Sequence, residues 1–239
     1  MNALAPWSTT AINLIDHADN AIHTDAGARA AGFDSALVAG TTVYAYMTHP
    51  AVAAWGRDWL SGGGGELRLR KPVFDHDTVD CLIADEDGRA TVTATVGGDA
   101  RATLELWPQV TAPELRSGDA LKPFKLILEE AHLDYGARCG DDLALYATEQ
   151  IAHPVTWANL ANQVFVRNLV TGPWIHVRSK IYHEDVATLG SVITIDAQLL
   201  DRFDSRAGER ALVDMRIYAD GEPVATIEHE AVIVLPGNS

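Results

Sequence analysis

The segment Ala18-Asp19-Asn20-Ala21-Ile22-His23-Thr24-Asp25 holds the residues best able to do chemistry. Asn20 and His23 lie three apart in a loop, and Gly40 heads the apolar helical run that follows. A helix start preceded by glycine leaves free backbone N–H groups at its positive dipole end. Such an end can hold a carbonyl oxygen on which negative charge develops. An imidazole beside it can move a proton or hold a water. Asp19 can serve as a general base if burial or a like charge raises its pKa. Asp16 and His17 are near enough to take part. Asn20 also suits a turn through its own local hydrogen bonds. Asp25 reads as the cap of a short helix.

Two copies of one pattern must position these residues. From Gly65 the chain runs through alternating or β-branched segments broken at Gly, Asp and Pro, and from Gly172 it does so again. These read as consecutive antiparallel strands, with Asp87-Gly88 and Asp220-Gly221 as hairpin turns. A helical stretch precedes each series. The first, TTVYAYMTHPAVAAW, is expected to end or kink at Pro50; the second, VTWANLANQVFVRNLV, follows Pro154. The order predicts an α+β fold, two antiparallel sheets each wrapping a central helix and lying side by side with their edges buried against each other. The units are expected at residues 1–107 and 123–239, joined by the Pro- and Gly-bearing linker 108–122. Gly62 to Gly65 lacks the Lys-Ser/Thr of a phosphate loop and reads as a flexible connector.

Composition narrows the functions. The 239 residues are 47% hydrophobic, enough for a proper core. With 33 acidic against 18 basic residues and a net charge of −15, the surface repels nucleic acid. No apolar run reaches membrane-spanning length, and the opening residues are not expected to act as a signal peptide. Cys81 and Cys139 match no metal or redox spacing, so a reducing, cytoplasmic setting is expected.

The run from Asn20 to Gly40 resembles the signature of the MaoC-like dehydratases and (R)-specific enoyl-CoA hydratases, with Asn20, Ile22, His23, Asp25, Ala30, Gly32-Phe33 and Gly40 matching. The specific motif covers about residues 12–42; at the level of a double hot-dog fold the resemblance covers the whole chain. It implies that His23 is half of a catalytic Asp/His pair, that Asn20 orients the site, and that the Gly40 N–H forms the oxyanion hole. Ala18 stands where the family has its catalytic Asp, and Ala21 where it has Pro. Asp19 is one residue late. In the second copy, Tyr135 to Asp141 resembles the family's approach to the same loop, placing Asp141 at the Asp position and Tyr146 at the His position. A composite His23/Asp141 site is therefore one arrangement to look for.

The resemblance implies a hydro-lyase of fatty acid metabolism, interconverting 2-enoyl and 3-hydroxyacyl thioesters of coenzyme A or acyl carrier protein, with no metal or bound redox cofactor. Arg68, Arg70 and Lys71, and in the second copy Arg178 and Lys180, are the candidate phosphate-binding positions. Tyr44, Tyr46, Met47, Trp157 and Phe165 line an acyl tunnel or form ordinary core. Two rivals stay open. One is a hot-dog thioesterase, for which Asn159, Asn162 or Gln163 would position water. The other is a non-catalytic acyl-thioester-binding subunit whose partner supplies the Asp. Pairing of two identical chains, or with a different subunit, stays open too.

Overall fold

The computed structural model describes residues 2–86 and 89–236; the expected Asp87-Gly88 turn lies outside them. The first half contains β1 (Trp7–Thr10), α1 (Asp25–Ala30), α2 (Gly40–Leu60), β2 (Gly64–Leu69), β3 (Thr78–Glu86), β4 (Arg89–Val96) and β5 (Asp99–Trp107). Residues 108–122 cross to the second half and carry β6 (Asp119–Ala120). Then come β7 (Phe124–Ile127), α3 (Glu130–Leu133), α4 (Tyr135–Arg138), α5 (Leu145–Glu149) and α6 (Val155–Asn168). The chain closes with β8 (Ile175–His183), β9 (Val192–Ser205), β10 (Gly208–Ala219) and β11 (Glu222–Val234).

All the strands form one antiparallel sheet in the order β1-β3-β4-β5-β2-β8-β11-β10-β9-β6, with β7 also on β9. Alternation creates its inner face: in β4, Ala90, Val92 and Ala94 are buried and Thr91 and Thr93 only half-buried. Asp220 and Gly221 take positive φ of 52° and 95°, the turn expected between β10 and β11. The two halves meet edge to edge along β2 and β8, paired from Gly64↔Tyr182 to Arg68↔Arg178. Gly64 and Gly65 thus belong to a strand, not to the flexible connector expected from composition. A Cβ on Gly64 would stand 2.2 Å from the Ile181 carbonyl oxygen, so only glycine permits this seam.

Each half of the sheet curves around one helix, α2 or α6. Every residue of α2 from Thr41 to Val52 is buried. Against expectation, α2 runs through Pro50 and breaks only at Gly56 (φ 57°, ψ −141°). Proline removes the N–H that would bond the Tyr46 carbonyl, four residues back. Cys81 on β3 supplies the missing donor, its Sγ 3.5 Å from that oxygen. Cys81 and Cys139 are both buried and free. Among the described residues no helix is long and apolar enough to cross a membrane.

This substitute donor has a measurable consequence. Cys81→Val keeps apolar volume but strands a buried carbonyl, and should cost about 1–3 kcal/mol in urea unfolding. Cys81→Ser, smaller but still a donor, should cost less. The reverse order would show that Cys81 acts through packing alone.

Candidate active site

The loop between β1 and α2 is pinned from several sides. Two single 3-10 turns, Ile15–His17 and Ala21–His23, compact it. Ile22 is buried in a small cluster with Ala28 and Leu37. Asn13 Nδ2 donates to the His23 carbonyl at 3.0 Å, and Leu37 N donates to the Ile22 carbonyl at 3.0 Å. Thr24, not Asp25, caps α1, its hydroxyl accepting from Gly27 N. Asp25 instead accepts from Ala36 N and pairs with Arg29, which together hold its carboxyl below the usual range.

His23 is the best-defined group in the loop. Its Nδ1 lies 2.7 Å from the Leu37 carbonyl oxygen, which can only accept. The proton therefore sits on Nδ1, and Nε2 is the basic nitrogen left for substrate. Burial lowers the pKa of His23, outweighing that backbone bond, so the ring is neutral at pH 7. Asn20 is fixed by its Nδ2, which donates to the Trp174 carbonyl at 3.0 Å; its buried Oδ1 has no partner among the described residues.

Two clefts meet at this loop, and Asn20, His23, Asn162 and Trp174 line both. The larger, about 440 Å³, also takes in His17, Asp19, Tyr135, Asn159 and Gln163. The smaller, about 280 Å³, is walled by apolar side chains such as Val43, Leu69 and Val73, and contains Gly40, Arg70, Lys71 and His176. Gly40 opens α2, and the N–H groups of Gly40, Thr41 and Thr42 have no backbone partner among the described residues. A Cβ at Gly40 would lie 2.3 Å from Leu69 Cδ1.

A hydrogen-bond chain links the loop to the helix start. The Tyr135 hydroxyl is 2.8 Å from His17 Nε2 and 2.7 Å from Thr42 Oγ1. His17 stands beside His23, ring centroids 5.7 Å apart. Burial, aided by the neighbouring His23, pulls the His17 pKa down to about 4. Trp174 carries no signal in the sequence and Tyr135 reads there only as the start of the second copy's approach to the loop; both reach it from the other half of the chain.

Several expected site residues lie elsewhere. Asp141 lines neither cleft. Its Oδ2 is 3.2 Å from His153 Nε2, and its Oδ1 accepts from Leu143 N at 2.8 Å, so the composite His23/Asp141 pair does not form. His49 completes that group, with Nε2 2.8 Å from Asp142 and 3.9 Å from Asp141. His49, Asp141 and Asp142 are the one group among the described residues whose ligand atoms, within 4.8 Å of one another, could hold a metal ion. Tyr44 lines neither cleft, being buried with its hydroxyl 3.4 Å from His183 Nε2. Arg68 pairs with Glu66, Arg178 with Glu228 and Glu230, and Lys180 with Glu228. Arg68 is neutralised within its own strand and Arg178 and Lys180 across strands, and none of the three lines either cleft. Arg70 and Lys71 do line the smaller cleft, Lys71 paired to Asp99 at 2.7 Å.

No protein-family model matches the chain, and no curated protein matches its sequence. Solved structures do match in shape. A protein described as a MaoC domain dehydratase from Chloroflexus aurantiacus shares 12% identity at a TM-score of 0.65, covering 99% of this chain and 97% of that one. A conserved hypothetical protein from Mycobacterium tuberculosis, described as having a double hot-dog fold, shares 10% identity at 0.66, covering 97% and 96%. A protein described as an oleoyl thioesterase from Lactobacillus plantarum shares 9% identity at 0.54, covering 98% and 97%. The chain therefore has the double hot-dog fold, one shared by dehydratases and thioesterases.

The buried histidines predict acid sensitivity. Burial lowers His23, His153 and His229, and takes His17 to about 4 and His176 and His183 to about 3. The unfolded chain binds these protons near 6.5, so stability is full above that pH and is lost as pH falls below it. Each histidine adds a slope of about 1.4 kcal/mol per pH unit between its unfolded and folded pKa values. Urea unfolding from pH 8 to pH 4 should show this decline; a flat profile would mean the rings are not held neutral in the interior.

Proposed function

We propose that the protein is a hydro-lyase that interconverts 2-enoyl and 3-hydroxyacyl thioesters in the smaller, apolar cleft. The observation that carries the reading is the Nδ1 bond of His23 to Leu37, which leaves a neutral imidazole with basic Nε2 beside the open start of α2 at Gly40. In hydration, Nε2 takes a proton from water as the water oxygen bonds to C3. The π pair of the double bond moves into the thioester, whose oxygen is held as an enolate by the Gly40 N–H. The imidazolium returns the proton to C2, so water's atoms end on adjacent carbons. Asp19, an exposed carboxylate on the adjoining cleft, is assigned to orient the water, and Asn20 fixes the loop. Arg70 faces the phosphates of a coenzyme A or carrier-protein thioester, and Lys71 must leave Asp99 to join it. The reading needs no metal or redox cofactor, and places the protein in cytoplasmic fatty acid metabolism.

A second reading has its own support. Asn159, Asn162 and Gln163 line the larger cleft together with His23, where a carboxamide could position water on a thioester carbon. That would make the protein a thioesterase.

Short and medium 2-enoyl-CoA substrates separate the readings, following loss of the conjugated double bond and, separately, free thiol. Hydration without thiol release is expected, falling about 100-fold or more in His23→Ala and less in Asp19→Ala. The rate should drop with acid through a pKa below 6.5, as Nε2 gains a proton. Asp141→Asn should keep activity and lose stability, because it weakens the bond to buried His153. Thiol release that depends on Asn159, Asn162 or Gln163 would instead establish the thioesterase. Binding without turnover would mark a non-catalytic subunit.

A further inference from the structure

Strand β8 departs from strict alternation at one point. Its register with β11 shifts between Glu230, opposite Arg178, and Ala231, opposite His176, so Val177 is the extra residue of a β-bulge. The bulge brings His176 and Ser179, three residues apart, into one buried group. Ser179 Oγ lies 2.8 Å from His176 Nε2 and 2.8 Å from His229 Nδ1. The two rings stack with centroids 4.2 Å apart, and His229 meets the Phe165 ring edge-on. His176 Nδ1 and His229 Nε2 are buried with no partner among the described residues.

An unpartnered buried polar atom on a cleft wall calls for a ligand. His176 is only 6% exposed and lines the same apolar cleft as Gly40 and His23. Its Nδ1 lies 3.4 Å from the point a Cβ on Gly40 would occupy, at the start of the 21-residue helix α2. The protonation pattern follows from Ser179. A hydroxyl has one proton, so between two neutral rings it donates to one nitrogen and accepts from the other. If His176 donated from Nε2, then His229 would carry its proton on Nε2, an orphaned N–H in the apolar interior. With Ser179 donating to His176 Nε2, the unpartnered N–H moves to His176 Nδ1 at the cleft, where a ligand can pair it, and the deep orphan is only a lone pair. His176 then carries its proton on Nδ1, towards Gly40.

We propose that His176 donates from Nδ1 to the thioester carbonyl oxygen, holding it together with the Gly40 N–H. This rests on the hydro-lyase reading and names the second donor of its oxygen site, supplied by the other half of the chain. Leu69, whose methyl packs on Gly40, closes the site and must rotate to admit the oxygen. Burial outweighs the opposing pull of the Arg178 backbone and takes the His176 pKa down to about 3, which keeps this donor neutral throughout the working range.

The test uses the full chain, the probes being crotonyl-CoA and butyryl-CoA labelled with carbon-13 at the carbonyl. In nitrogen-15 spectra, the His176 ring, identified by its loss in His176→Asn, should carry its proton on Nδ1. Bound to the wild type, the labelled carbonyl should move downfield. It should move less in His176→Leu, and nearly as far in His176→Asn, which restores an amide donor near the Nδ1 position. Turnover of crotonyl-CoA should fall about 100-fold or more in His176→Leu and much less in His176→Asn. If His176→Leu does not fold, Ser179→Ala serves, since loss of the relay should mix the tautomers and weaken the carbonyl shift. A bare Nδ1, or a carbonyl shift indifferent to these variants, overturns the proposal. A His176-dependent shift without hydration by the wild type would overturn the hydro-lyase reading and leave the oxygen site standing. Failure of butyryl-CoA to bind at all would overturn both.

Discussion

The bond from His23 Nδ1 to the Leu37 carbonyl, 2.7 Å long, joins the two ends of the loop that precedes α2. It fixes the tautomer of His23 and the orientation of its ring. It also ties the imidazole to the segment Leu37-Val38-Ala39, which delivers the chain to Gly40. Ile22 and Leu37 anchor that geometry by burial, and Leu37 N closes it by bonding back to Ile22. A free histidine in a loop would sample many rotamers, each with its own proton placement. Here one backbone acceptor selects a single state, and the chemistry assigned to the cleft depends on it.

The rest of the fold holds this loop against a wall it cannot supply. The β2–β8 seam makes one sheet of two halves, and the glycine at 64 allows the backbones to approach closely enough to pair. Through that seam, Trp174 and His176 from the second half come to face Asn20 and Gly40 from the first. The site is therefore a property of the pair of units. Arg178 also reaches Glu66 across the seam at 3.5 Å, so one of the basic strand positions ties the two halves together.

The near side of the site was legible in the sequence because its parts are close along the chain. Asn20, His23 and Gly40 fall within one loop and the helix it feeds, and their spacing alone points to proton transfer beside an oxygen site. The repeated helix-then-strands order likewise gave the double fold. The far side was hidden. Arg178 and Lys180 alternate along a strand as phosphate ligands would, but cross-strand register sets them against Glu228 and Glu230. His176 and Ser179 match no strand period until the bulge at Val177 brings them together. Pro50 reads as a helix breaker, and only a cysteine from β3 explains why it is not one. Asp141 sits where the resemblance suggested an acid, yet His153, twelve residues on, claims it.

The most direct test is a crystal structure with a bound 3-hydroxyacyl-CoA. The account predicts the acyl chain in the apolar cleft, its thioester oxygen within hydrogen-bond reach of the Gly40 N–H and its 3-hydroxyl within reach of His23 Nε2. A thioester seated instead in the larger cleft against Asn159, Asn162 and Gln163, with His23 Nε2 far from C3, would contradict it.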